Sequence, residues 1–226
     1  MPKHSMVCDS SSLISLTDSC FIHVLYFLKK KHSSAFLLTP YVEHECISHP
    51  MNLKMHSLFA LRLKRAILDG ILDIVPLPSN QTLQEIKWAA NNSFYAGGTP
   101  LRLLHEGEAE ALALAAEAGV QNILIDERTT RMLAEDYETL RLHLEREFST
   151  KITVDEANLS SFLGYTKKMR FFRSSELLLL AYEKGYFSDY GELEKDAIKA
   201  ALYRLKYAGC SVGIGEIEDY FEAQML

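Results

Sequence analysis

Two aspartates occupy equivalent places in the sequence, and their side chains are the first candidates for chemistry. Asp9 ends the short apolar run 5–9, and Asp126 ends the run 122–126. Ligands of an open parallel sheet bind in the crevice at the carboxyl ends of its strands. Carboxylates gathered there repel one another, and a divalent cation is their usual partner. Each aspartate taken alone can instead be a helix N-cap.

Two groups of glutamates extend the acidic pattern. Positions two apart on a helix point in roughly opposite directions, so one member of each group can face a site while another faces solvent. Glu108 shares a helix face with Ala111 and Leu112 and falls in the first turn, where the helix dipole favours a carboxylate. Each glutamate can also be an ordinary surface residue. The groups are Glu43 with Glu45, after Pro40, and Glu106, Glu108 and Glu110, around Gly107.

The elements that must position these carboxylates alternate between strand-like and helix-like segments. Such alternation predicts an α/β fold in which helices cover both faces of a parallel sheet. Gly97 and Gly98 indicate a loop over 95–100. The predicted strands are 5–9, 35–39, 71–77 and 122–126, and the predicted helices are 10–31, 41–47, 58–68, 81–91, 107–118 and 129–135.

The second half of the chain has a weaker pattern and no proline after Pro100. We expect a strand over 151–154 and helices over 174–184, 190–208 and 215–224. A boundary near residue 150 would divide the chain into an α/β domain, 1–150, and a helical C-terminal extension, 151–226, that packs on it. The apolar faces of the extension could also bury a homodimer interface, but packing within the chain is the default expectation.

Composition narrows the classes of protein that the chain can represent. Its 226 residues are 48% hydrophobic and carry a formal net charge of -6, which excludes a strongly basic nucleic-acid coat but not local basic patches. The four cysteines form no CxxC pair, so we expect free thiols in a reducing cytosol. No signal peptide or transmembrane helix is expected. No GxGxxG or Walker-type loop supports nucleotide-cofactor chemistry.

Four stretches, taken in this order, resemble the PIN-domain family of metal-dependent ribonucleases. The similarity runs over roughly residues 5–136 and is closest to stand-alone, single-domain members. It implies a three-layer α/β/α fold with a mainly parallel central sheet. The stretches are Val7 to Ile14 (VCDSSSLI), Leu38 to Glu45 (LTPYVEHE), Gly107 to Ala115 (GEAEALALA), and Ile123 to Arg128 (ILIDER) with Arg131.

The resemblance also implies a set of site residues. The family's spacing favours Glu45 over Glu43 as the second acid without excluding Glu43. Hard oxygen ligands select Mg²⁺ or Mn²⁺, which can activate water for attack on an RNA phosphodiester. The implied catalytic, metal-binding acids are Asp9, Glu45, Glu108 and Asp126, and Ser11, Glu110 and Glu127 would support them.

Basic residues near these motifs are candidates for binding RNA. Arg128 and Arg131 follow Asp126 closely, and a second group is interleaved with Phe171 and Phe172, whose rings can stack on unpaired bases. That second group can equally be a basic loop with both phenylalanines in the core. Its members are Lys167, Lys168, Arg170 and Arg173. RNA is therefore the expected partner, with an antitoxin-like protein and a second copy of the chain as further candidates.

Two other functions compete with a nuclease. The chain can be a non-catalytic PIN module that binds RNA or a protein, although all four acids are present. A phosphohydrolase with an aspartate nucleophile requires a DxD motif after the first strand. Ser10 and Ser11 follow Asp9, so the second aspartate is missing and this class is disfavoured.

Overall fold

The computed structural model describes residues 4–223. Its centre is a five-stranded sheet in the order β3-β2-β1-β6-β8, with every neighbouring pair parallel. This confirms the α/β fold expected from the sequence. The strands are β1 (Met6–Cys8), β2 (Phe36–Leu38), β3 (Leu72–Ile74), β4 (Phe94–Ala96), β5 (Thr99–Pro100), β6 (Asn122–Leu124), β7 (Ile152–Val154) and β8 (Arg170–Phe172).

Helices occupy most of the remaining described chain. The sequence predicted α5 with the observed bounds and α4, α6 and α7 to within one residue. The helices are α1 (Ser10–Asp18), α2 (His23–His32), α3 (Pro40–Glu43), α4 (Ser57–Leu68), α5 (Gln81–Asn91), α6 (Glu106–Ala118), α7 (Arg128–Glu135), α8 (Tyr137–Phe148), α9 (Glu156–Thr166), α10 (Ser174–Glu183), α11 (Glu194–Tyr207) and α12 (Ile214–Ala223).

The core has two parts because successive strand residues point to opposite faces of the sheet. Met6 and Cys8 pack with buried residues of α1, α2, α4, α10 and α11. Val7, between them, packs on the other face with α5, α6 and α9. The sheet therefore lies between two helical layers, which confirms the three-layer arrangement.

The single helix expected over 10–31 was wrong: the chain forms α1 and α2 instead. Cys20 adopts a left-handed conformation (φ 64°) between them, and both helices bury apolar residues on the same face of the sheet. Within residues 4–223, no single helix is long and apolar enough to cross a membrane. The pair formed by α1 and α2 reaches that length and apolarity together but is bent by 111°.

The loop expected over 95–100 is a β-hairpin. Gly97 and Gly98 have φ values of 55° and 82° and form the two-residue turn between β4 and β5. Positive φ at both positions is what such a turn requires, and glycine supplies it without strain. The strand expected over 151–154 exists as β7. It does not join the main sheet but pairs antiparallel with β4, so that β5, β4 and β7 form a second, three-stranded sheet.

The segment beyond residue 150 supplies the last strand of the main sheet. In β8, Phe171 is buried and stands opposite Ile123 of β6. The sequence did not predict this strand, since three residues are too few for a clear pattern. The division of the chain at residue 150 stays a prediction. The edge strand β8, however, belongs to the main sheet and lies after residue 150 in the chain.

The three C-terminal helices are present with changed bounds. The helix expected from 190 begins at 194, because a 3₁₀ segment, Ser188–Leu193, precedes it and contains Gly191 at φ 55°. The helix expected over 215–224 is α12, and Gln224 lies outside the described residues. Ile198 and Leu202 of α11 are buried in the core shared with α1 and α2, so this apolar face packs within the chain.

Candidate active site

Asp9 lies at the carboxyl end of β1 and is buried, with only 2% of its surface exposed. Its Oδ2 accepts hydrogen bonds from the Ser11 backbone N–H (3.0 Å) and the Ser11 hydroxyl (2.6 Å), so Asp9 is the N-cap of α1. Burial raises the pKa of Asp9; the bonds from Ser11 oppose this, and the nearby Glu45 adds to it. Asp9 therefore caps α1, and its burial disfavours the ionised form of its carboxyl group.

Ser11 joins the ends of two neighbouring strands. Its hydroxyl donates to Asp9, and its oxygen accepts the backbone N–H of Asp126 at 3.1 Å. The carboxyl ends of β1 and β6 are thereby fixed next to each other. The role that the family resemblance implied for Ser11 stays a prediction, and these hydrogen bonds are the contacts through which Ser11 would support Asp9.

Glu45 reaches the same place from a π-helical turn. The short helix expected over 41–47 is α3 followed by a π-helix, His44–Ser48. Such turns recur at functional sites because the extra residue redirects the side chains. Glu45 Oε2 accepts a hydrogen bond from the Ser10 hydroxyl at 2.9 Å. Glu43 accepts instead from Ser48 of its own turn, at 2.8 and 3.0 Å. Of the two glutamates left open by the sequence, Glu45 is the one directed at Asp9.

Gly107 allows α6 to approach this turn closely. A Cβ atom placed on Gly107 would lie 2.6 Å from Glu45 Oε2, which is closer than real Cβ contacts permit. Only a glycine at this position leaves the Glu45 carboxylate where it is.

Glu108 completes the group from the first turn of α6, where it accepts a hydrogen bond from the backbone N–H of His105. Burial, then the charge of Asp9, raises the pKa of Glu108 to about 8; the bond from His105 opposes the rise, and Glu127 and Glu45 add to it. These acids are close enough to disfavour one another's ionisation. Asp9, Glu45 and Glu108 line one cavity of about 220 Å³.

Asp126 is held in a different way from the other three acids. It is 1% exposed, and its Oδ1 and Oδ2 accept the backbone N–H and the hydroxyl of Ser174, each at 2.7 Å. The carboxylate therefore binds the first residue of α10. It does not cap α7, whose N-cap is Glu127, accepting from the N–H groups of Thr129 (2.9 Å) and Thr130 (2.6 Å). Asp126 does not line the 220 Å³ cavity.

Glu110, expected to support the site, faces α3. Its Oε2 accepts the backbone N–H of Tyr41 at 3.3 Å. This bond satisfies a free donor in the first turn of α3, which otherwise has no partner within its helix. Glu110 therefore connects α6 to the element that carries Glu45.

The donors suit a hard divalent cation by their chemistry, since carboxylate oxygens are the ligands that Mg²⁺ and Mn²⁺ prefer. Burial is the main cause of the raised pKa of Asp9 and of Glu108, and neighbouring carboxylates add to it: Glu45 acts on Asp9, and Asp9 acts on Glu108. A cation would relieve the repulsive part. In the arrangement described for residues 4–223, however, no three His, Cys, Asp or Glu side chains are placed so that they could hold a metal ion.

The basic residues expected to bind RNA lie at both ends of the sheet. Arg128 and Arg131 belong to α7, directly after the carboxyl end of β6, and both line a second cavity. Arg170 opens β8 opposite Asn122, at the amino end of the strands, and Lys167 and Lys168 precede it. These three residues are therefore at the edge remote from the acids.

Arg173 is engaged within the protein. Its side chain is 11% exposed and pairs with Glu176 at 2.9 Å and with Glu216 at 2.8 Å. It also donates to the backbone carbonyl of Ser211 at 3.2 Å. Its charge is therefore compensated by carboxylates of α10 and α12.

Sequence reasoning did not select three further residues that line the acidic cavity, Tyr41, Arg102 and His105. His105 had a usable signal, since it immediately precedes the acidic helix. Arg102 lies in the link between β5 and α6, where no pattern distinguishes it from a surface arginine. Glu106 also lines the cavity but is ion-paired with Lys87.

The fold and the site together define an α/β protein with a cluster of carboxylates at the carboxyl edge of a parallel sheet. A family model described as a PIN domain (DUF3368) matches residues 5–143. The chain belongs to the PIN-domain family, which confirms the resemblance seen in its motifs. PIN domains are generally nucleases and typically use divalent metals. Comparison with curated proteins and with solved structures finds no match.

Proposed function

We propose that this protein is a divalent-metal-dependent endoribonuclease that hydrolyses RNA phosphodiester bonds in the acidic cavity. One observation carries the proposal: Asp9, Glu45 and Glu108 come from three separate elements and line one small cavity. Buried carboxylates that raise one another's pKa cost stability, and a protein retains such an arrangement where chemistry requires it.

Asp9, Glu45 and Glu108 would hold Mg²⁺ or Mn²⁺ only after moving closer together than they lie in the described arrangement. The bound cation would supply an activated water and neutralise charge on the phosphate. The chain's own residues orient these ligands: the hydroxyls of Ser11 and Ser10 donate to Asp9 and Glu45. Arg102 and His105 line the same cavity and would bind the phosphate that is to be cleaved.

Asp126 has a supporting role in this proposal. Both of its oxygens already accept hydrogen bonds from Ser174, which leaves each with reduced capacity to bind a cation. It fixes α10 against the end of β6 and adds negative charge beside the site. Glu127 and Glu110 act in the same sense, by holding α7 and α3 in place.

The decisive experiment is cleavage of labelled RNA and DNA strands with Mn²⁺, Mg²⁺ or EDTA. Wild type is compared with Asp9→Asn and with Glu183→Gln, a matched control in which an exposed carboxylate of α10, outside the cavity, becomes an amide. We expect metal-dependent RNA cleavage by wild type and Glu183→Gln, and its loss in Asp9→Asn. Circular dichroism verifies folding. Absence of cleavage by folded wild type with either metal contradicts the proposal.

A non-catalytic PIN module is the second candidate. It is favoured by the absence, within residues 4–223, of a ready three-residue metal site. Calorimetric titration with Mn²⁺ separates the two candidates, because only the nuclease requires Mn²⁺ binding that Glu108→Gln weakens. An antitoxin-like partner, a homodimer and a cytosolic location stay predictions of the sequence.

A further inference from the structure

A second cavity, of about 440 Å³, lies at the same edge of the sheet, between α7 and the segment that joins α11 to α12. Cys210 lines it, and the Cys210 thiol lies 3.5 Å from the hydroxyl of Ser175. Ser174, the preceding residue, holds Asp126. The two cavities share no lining residue, and Asp126 lines neither of them.

Three cations line this cavity: Arg128, Arg131 and Lys206. Within residues 4–223, neither Arg128 nor Lys206 forms an ion pair; Arg128 Nε lies 3.2 Å from Met132 Sδ, and Lys206 Nζ donates to the carbonyl of Val212 at 3.0 Å. Arg131 meets Glu135 only at 4.0 Å. The whole chain has a net charge of -6, so this cavity carries a local charge of the opposite sign.

The cavity's acid cancels only part of that excess. Glu216 lines the cavity and interacts with the charge of Arg131, but its Oε2 pairs with Arg173 at 2.8 Å. Its negative charge is thus shared with a cation outside the cavity lining.

Two buried polar atoms of the lining lack a hydrogen-bond partner, although one of them, Arg131 Nε, has the Glu135 carboxylate at 4.0 Å. Arg131 Nε and Ser211 Oγ are both buried, and neither has a hydrogen-bond partner among the described residues. Arg131 can only donate, and a hydroxyl donates readily. Such groups require an explanation, because a buried donor without a hydrogen-bond partner has lost its bonds to water and gained nothing in return. An anion in the cavity would accept from both.

We propose that this cavity binds a phosphate of the RNA backbone, one that flanks the cleaved bond. The inference rests on the proposed function and adds to it a second contact on the substrate. Arginine forks and a lysine are the side chains that recognise phosphate. Lys206 and Ser211 lie beyond residues 5–143, so the family match covers only the part of this site that α7 contributes.

The test measures binding separately from cleavage. A fluorescent single-stranded RNA is titrated in EDTA, and anisotropy is followed over a range of salt concentrations. The variants are Lys206→Gln and Arg128→Gln, which remove one cation each. Lys195→Gln is the matched control: it makes the same change on the same helix, at an exposed position outside the cavity. Arg128 is also exposed, so its variant tests the cavity even if Lys206→Gln affects folding.

We expect Lys206→Gln and Arg128→Gln each to weaken RNA binding by roughly threefold to tenfold and to reduce the slope of log affinity against log salt by about 0.7. Lys195→Gln should bind as wild type does. In a second arm, calorimetry with inorganic phosphate tests a free anion as the ligand.

The outcomes separate this inference from the nuclease proposal. RNA binding that is equal in Lys206→Gln, Arg128→Gln and Lys195→Gln overturns the phosphate-binding role of the cavity and leaves the nuclease proposal intact. RNA binding that depends on Lys206, without cleavage in any metal, supports the phosphate-binding role and overturns the nuclease proposal. Phosphate binding that depends on Lys206, without RNA binding, overturns RNA as the source of the phosphate.

Discussion

At Gly107 an added methyl group would meet the Glu45 carboxylate, because its Cβ would lie 2.6 Å from Glu45 Oε2. The contact is with the end of a flexible side chain, so the fold can accommodate it, and alanine favours a helix by about 1 kcal/mol over glycine. We expect Gly107→Ala to keep or raise the melting temperature while Mn²⁺ affinity and RNA cleavage fall by roughly tenfold or more.

Gly164→Ala is the control for this change. Gly164 lies in α9, and a Cβ placed there would have no neighbour within 4 Å. Gly164→Ala therefore gains the same helix-forming preference as Gly107→Ala, but its new methyl group contacts no carboxylate. Calorimetry and thermal unfolding of both variants provide the comparison, and unchanged Mn²⁺ affinity in Gly107→Ala would refute the role given to Glu45.

Glu108 makes stability depend on pH in the metal-free protein. Its pKa in the folded state is about 8, above the ordinary value of 4.5, so the folded state binds more protons than the unfolded state between these values. The free energy of unfolding must therefore fall as pH rises through that interval. We expect urea unfolding in EDTA to show this decline between pH 5 and pH 8, and Glu108→Gln to reduce it.

Glu110→Gln, two residues along the same helix, should retain the wild-type pH dependence because Glu110 lies outside the acidic cavity. Equal slopes for wild type and Glu108→Gln would show that Glu108 is not the group that titrates.

The individual acids were within reach of sequence reasoning, but their partners were not. Asp9, Glu45 and Glu108 follow from short motifs, since strand ends and first helical turns place carboxylates locally. Ser174 is 48 residues from Asp126, and nothing in the sequence indicates that the two side chains meet. The cavity that Lys206 shares with Arg128 depends equally on tertiary packing.

At the scale of elements, Asp126 is the link between β6 and α10. Asp126→Ala removes both acceptor oxygens, so the backbone N–H and the hydroxyl of Ser174 both lose their partner. We expect this to lower the free energy of unfolding by roughly 1–3 kcal/mol. Chemical denaturation measures the loss.

A double-mutant cycle with Ser174→Ala assigns that loss to the link. Because both substitutions break the same contact, their combined effect should be smaller than the sum of the single effects. Additive effects would mean that Asp126 stabilises the protein through some other neighbour.

Element type was predictable where the pattern is long and elements were missed where it is short. The helices α5 and α6 repeat apolar residues over three turns, and their bounds were predicted closely. In contrast, β8 has three residues and its partner strand lies far away in sequence. The break between α1 and α2 escaped prediction because the left-handed residue is Cys20 rather than a glycine.

At the scale of the whole molecule, the parallel sheet separates the basic residues into two sets. Lys167 and Lys168 precede β8 at the amino end, whereas Arg128 follows β6 at the carboxyl end, where the acids lie. We expect the double variant Lys167→Gln/Lys168→Gln to bind RNA as wild type does, although it removes more charge than Arg128→Gln.

Anisotropy titration at low salt makes this comparison sensitive, since long-range effects of net charge are then largest. A weaker affinity in the double lysine variant than in Arg128→Gln would place RNA across the opposite edge of the sheet.

The late position of Ser174 in the chain has a consequence for synthesis. Asp126 binds Ser174, and β8, which completes the sheet, ends only two residues before it. A nascent chain on the ribosome therefore cannot form this link until residue 174 has emerged. For the ribonuclease proposed above, a site that lacks this support during translation would spare the message and the ribosome that are producing it.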